Sequence, residues 1–157
     1  MPQSLQEQFA PKSVCYGCGP ANPHGLHIAS VPDGDVVVAH WSPEPHHHAF
    51  DGILNGGIIG SILDCHCNWT AAWTIMNATE ANEPPCTVTA TYTINLKRPT
   101  PMDAALVLTA RCTHLDDSKR HAHIEATLHA GETLCATATG DFVAVKPDHP
   151  AYHGLNR

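Results

Sequence analysis

Basic residues are scarce in this chain of 157 residues: eight Lys and Arg stand against fifteen Asp and Glu, for a formal net charge of −7. That balance excludes the broad basic patch by which proteins hold nucleic acid or an anionic membrane surface non-specifically, so an anionic ligand has to be held locally. The opening MPQSLQEQFAPKS lacks the charged-then-apolar pattern of a secretory signal. The longest apolar stretch, Ile53 to Met76, is interrupted by Asn55, Asp64, His66 and Asn68, each expensive in hydrocarbon, and it predicts a buried helix of a soluble protein. Seven cysteines are an odd number at scattered spacings rather than a disulfide framework, which predicts a reducing, cytoplasmic setting.

What is present fits one domain, since 43% hydrophobic content over this length supplies a sizeable core. Residues 1–24 are broken by four prolines and two glycines and predict an irregular wrapping segment, with a helical turn over Ser4 to Phe9. Strands are predicted near Leu26 to Val31 and Asp35 to Trp41, joined by an Asp-Gly turn. Ser42 to Gly52, containing His46, His47 and His48, reads as a solvated loop. Beyond the long helix and Glu83-Pro84-Pro85, CTVTATYTINLK alternates apolar and polar residues with period two. Further strands follow near Ala104 to His114, Arg120 to His129 and Glu132 to Val145, and the last four strands are expected to be consecutive and antiparallel through short turns. The domain therefore runs over 25–146, with a loose tail over 147–157. The fold class is α+β: one long central helix wrapped by a curved antiparallel sheet of about six strands.

The segment NGGIIGSILDC, residues 55 to 65, poses two problems. Gly56, Gly57 and Gly60 cost helix stability, by up to about 1 kcal/mol each against Ala in an interior. Either close packing requires them, or the unshielded N–H groups of the first turn face a polarised oxygen, as in an oxyanion site. Asp64 lies among Ile58, Ile59, Ile62, Leu63, Trp69 and Trp73, where a carboxylate is costly unless it is bonded or functional. Gly56 and Asp64 are roughly 12 Å apart along a helix axis. To act on one carbonyl carbon they must come from two protomers, which predicts a dimer with antiparallel helices and two equivalent sites.

FDGILNGGIIGSILDC resembles the signature of the hotdog-fold acyl-CoA thioesterases of the PaaI-like branch, and CYGCGPANPHGLHI and YTINLKRPTP are similar to further family segments. The resemblance implies hydrolysis of acyl-CoA thioesters by dimers or dimers of dimers, with no metal or cofactor. It assigns Asp64 as nucleophile or general base, Gly56 or Gly57 as the amide that polarises the thioester carbonyl, and Asn68 as a group that helps hold the water. Asn55 stands where the family usually has histidine, and Ala49 where several members have an amide; His48 is placed to substitute. His48, Phe50 and Trp69 are candidates for substrate contact. The basic pairs Lys97-Arg98 and Lys119-Arg120 are candidates for the phosphates of CoA.

Two other readings stand beside this one. The first is a non-catalytic acyl-CoA-binding protein of the same fold; a dehydratase is disfavoured because His66 lies on a different helix face from Asp64. The second is a metal-binding protein, for which Cys15-x-x-Cys18 with His24 and His27 has the residue types of a zinc knuckle. His121, His123, Glu125 and His129 suggest a cupin-like cluster but lack its glycine-bracketed spacing.

Overall fold

A computed structural model describes residues 2–152. The amino-terminal segment contains one short helix, α1 (Leu5–Phe9), closed by a capping box in which Ser4 and Glu7 satisfy each other's backbone N–H groups. The first predicted strand is absent. Leu26 and Ile28 instead donate their N–H groups to Tyr16 and Gly17 of the amino-terminal loop, and His27 between them takes φ +57, which breaks an extended run. Pairing begins at β1 (Val31–Asp33), and Gly34 at φ +64 turns the chain into β2 (Val36–Trp41).

After a single 3-10 turn at Pro45–His47 comes the long helix α2 (Gly56–Ala78), followed by β3 (Thr87–Leu96), β4 (Leu106–Leu115), β5 (His121–Ala130) and β6 (Thr133–Ala144). All pairings are antiparallel, and the sheet order is β1-β2-β4-β5-β6-β3. The expectation that β3 would pair with β4 is therefore corrected: β3 lies at the far edge, against β6. Its exit, Arg98-Pro99-Thr100-Pro101, does not form a hairpin but crosses the start of α2, where Leu54 donates to Thr100, Met102 donates to Gly52 and Ile53 bridges Pro101.

The sheet wraps α2, which touches β2 to β6 and buries Ile59, Ile62, Leu63, Cys67, Ala71 and Ile75 against Leu108, Ala110, Ile124, Leu128 and Phe142. This is the hotdog arrangement, with apolar burial as the dominant stabilising term. His66, fully buried on the helix, donates from Nε2 to the Val37 carbonyl at 2.9 Å and accepts at Nδ1 from Ser30 at 2.8 Å. Ser30 is held in turn by Gln6 of α1, so one polar chain joins the amino-terminal segment, the helix and β2. Among the described residues no helix is long and apolar enough to cross a membrane.

Candidate active site

Asn55 is the N-cap of α2. With extended backbone (φ −61, ψ 131), its Oδ1 accepts from Gly57 N at 2.7 Å and Ile58 N at 3.2 Å. A cap of this type contributes about 1 kcal/mol. The cap also divides the predicted pair of amides: the Gly57 N–H is engaged by Asn55, whereas Gly56, the first helical residue, has no intrahelical acceptor for its N–H. A Cβ on Gly56 would lie 3.3 Å from the Leu96 side chain, so the start of the helix sits against the end of β3.

Eight residues along the helix, half-buried Asp64 accepts a 2.7 Å hydrogen bond from Thr89 Oγ1 near the beginning of β3. Burial pushes the Asp64 carboxyl up from its ordinary range; the Thr89 hydrogen bond opposes this, and the nearby Cys15 sulfur adds to it. One turn further on, Asn68 donates to the Thr87 carbonyl at 3.2 Å, while its Oδ1 is buried with no partner among the described residues.

A bulge between Thr89 and Thr91 changes which face of β3 meets the helix. Before it, Thr87 and Thr89 reach α2. After it, Tyr92 and Ile94 line a small crevice with Leu63, Asp64, Cys67 and Phe142. Thr89 and this apolar lining are the site residues that sequence reasoning missed. The alternation of threonine with apolar residues was a signal for two faces, but not for a switch between them.

The remaining candidates disperse. His48 and Phe50 are exposed on the loop before α2, where His48 Nδ1 donates to the Pro45 carbonyl and Phe50 is 76% exposed. His47, expected in a solvated loop, is instead buried and stacked on Trp41 at 5.3 Å. Trp69 is buried in the core rather than lining the crevice beside Asp64. Lys97 and Arg98 border an open groove with Glu132 and Thr133. Lys119 and Arg120 lie near the other end of α2, where Lys119 Nζ donates to the Ala78 carbonyl at 3.1 Å and Arg120 to the Ala144 carbonyl at 2.7 Å. The histidines of β5 come together at no metal-holding distance among the described residues; His123 pairs with Asp141. Nor do His24 and His27 join Cys15 and Cys18, whose nearest metal-ligating neighbour is Cys65 of α2.

A sequence profile of the thioesterase superfamily matches residues 51–137. No curated protein matches the chain in sequence. A solved thioesterase superfamily protein from Shewanella loihica is 30% identical, the match covering 81% of this chain and 98% of that one with a TM-score of 0.64. The fold is shared with Escherichia coli PaaI, from the phenylacetic acid degradation operon (15% identity, 77% and 81% covered, TM-score 0.63). It is shared also with smu.793 of Streptococcus mutans, solved bound to acetyl CoA (16% identity, 75% and 88% covered, TM-score 0.61).

Proposed function

The chain belongs to the thioesterase superfamily, and on that premise we propose that it hydrolyses an acyl-CoA thioester to the free acid and CoA at two equivalent sites of a homodimer. The observation that carries this reading is the antiparallel run of α2 and β3: Asp64 is tied to Thr89 at one end of the strand, and the start of α2 at Gly56 faces Leu96 at the other, where a Cβ would lie 3.3 Å from its side chain. β3 is an edge strand with exposed Tyr92 (48%) and Leu96 (58%), the kind of long unpaired edge that invites a second copy. Two β3 edges paired antiparallel about a two-fold axis bring the Asp64 end of each protomer toward the Gly56 end of its twin.

In that site the Gly56 N–H donates to the thioester carbonyl oxygen as negative charge develops. Asp64 takes a proton from water, whose oxygen bonds to the carbonyl carbon; collapse of the intermediate breaks the C–S bond, and the proton passes to the CoA sulfur. Thr89 positions Asp64, and Asn68 one turn away is assigned to help hold the water. The acyl group is assigned beside α2 at the shared seam, and Lys97 and Arg98 at the end of β3 are assigned to CoA phosphates. Lys119 and Arg120 already serve backbone carbonyls and are weaker candidates. The odd count of seven cysteines at scattered spacings accords with a reducing cytoplasm.

Thiol release from a small panel of acyl-CoAs tests the proposal, with Asp64→Ala as control. Release by the native protein that the variant loses is the expected result. Stoichiometric acyl-CoA binding without release identifies a binding protein instead.

A further inference from the structure

We infer that Cys15, Cys18 and Cys65 form a binding site for a thiophilic divalent cation of the zinc class, which staples the amino-terminal segment to α2. The inference is independent of the proposed hydrolysis. The three sulfurs lie within 4.8 Å of one another, and Cys15 Sγ and Cys65 Sγ are 3.7 Å apart. Two thiolates on a tetrahedral ion, each at about 2.3 Å, stand about 3.8 Å apart. A disulfide would require about 2.05 Å and would leave the third sulfur without a purpose.

The backbone around the sulfurs is shaped for this arrangement. Cys15-Tyr16-Gly17-Cys18-Gly19 is a tight knuckle in which Gly19 N donates to the Cys15 carbonyl at 2.8 Å. A Cβ on Gly17 would fall 2.4 Å from Cys65 Sγ, and one on Gly19 2.4 Å from Cys15 N, so both glycines are required by close approach. The Leu26 and Ile28 N–H groups donate to the Tyr16 and Gly17 carbonyls at 2.7 and 3.0 Å and hold the knuckle in place. Such outer contacts orient ligands. Cation binding displaces the thiol protons to solvent, with no change of oxidation state. Cys18 is buried and Cys15 exposed, which leaves the fourth tetrahedral position to water on the outer side. Because Cys65 follows Asp64 directly, the staple also fixes the middle of α2 against the knuckle.

The full chain, made without an affinity tag, tests the inference through its metal content and a cobalt(II) titration after chelation. About one zinc per chain and a cobalt spectrum with thiolate charge-transfer and tetrahedral d–d bands are expected. Cys65→Ser should weaken cobalt binding by at least the roughly tenfold that losing even an outer partner of a ligand costs. Cys112→Ser and His24→Ala should leave it unchanged. Should Cys65→Ser fail to fold, alkylation of the native protein decides: zinc should protect Cys15, and a chelator should expose it. Absence of zinc with no thiolate band, equal affinity in a folded Cys65→Ser, equal alkylation with and without zinc, or a Cys15–Cys65 cross-link two hydrogens lighter would each overturn the assignment.

Discussion

Asp64 on the central helix and Thr89 on the edge strand share a 2.7 Å hydrogen bond, the one donor to this carboxylate among the described residues. The bond fixes one carboxylate oxygen and leaves the other for chemistry, in a setting where burial raises the carboxyl's pKa and the bond opposes that rise in part. The reading of Asp64 as a base therefore stands on geometry: a side chain held at a crevice that lies along an unpaired sheet edge.

Asp64→Asn keeps the shape and removes the base. Its kcat for acyl-CoA hydrolysis should fall by roughly a hundredfold to ten-thousandfold with KM little changed. Thr89→Val should lower kcat more modestly and also leave KM in place, because Thr89 positions the base without touching substrate. Steady-state thiol release measures both; a rise in KM alone would move Asp64 into substrate binding.

Arg98→Ala should raise KM for an acyl-CoA by roughly tenfold, the effect of losing one charge-assisted hydrogen bond. KM for the same acyl group on a truncated pantetheine thioester should not move. Equal effects on both substrates would detach Arg98 from the phosphates.

The helix, its start, its carboxylate and most strands were legible because each depends on local sequence: period two in CTVTATYTINLK, glycine and Asn at a helix start, prolines after its end. Long-range features were not. A double-proline connector reads as a hairpin turn, yet it crosses the start of α2 and delivers β3 to the far edge. Residues 26–31 alternate enough to suggest a strand, but the amino-terminal loop takes their backbone donors first. The bulge at Thr89/Thr91 leaves no mark in the alternation, although it decides which side chains meet Asp64. Cys15 and Cys18 were visible as a pair, whereas Cys65 joins them only through the packing of the knuckle on α2.

The edge itself is open to test. Tyr92→Lys with Leu96→Lys places like charges along the exposed face of β3 and should convert a dimer to a monomer by solution mass, with loss of hydrolysis. A variant that stays dimeric would put the interface elsewhere.

The buried His66 makes stability depend on pH. Burial lowers its pKa from 6.5 to about 4, so between those values the unfolded chain binds a proton that the folded chain does not. Stability therefore rises with pH across this window; the contribution is complete above the unfolded pKa and is lost progressively on acidification, by up to roughly 3 kcal/mol. Urea unfolding at about pH 7.5 and about pH 4.5 measures it, and His66→Leu should flatten the difference. An unchanged slope in that variant would assign the acid loss to other groups.

Subunit complementation tests the shared site most directly. Gly56→Pro removes the N–H at the first helical position, where proline is tolerated, and the extended Asn55 before it is compatible. It should fold and lose roughly a hundredfold to a thousandfold in kcat. Mixing it with Asp64→Asn and allowing subunits to exchange should restore about a quarter of native activity, because half of the dimers are mixed and each carries one intact site. Mixed dimers confirmed by mass but without recovered activity, or full activity in Gly56→Pro alone, would contradict a site built from two chains.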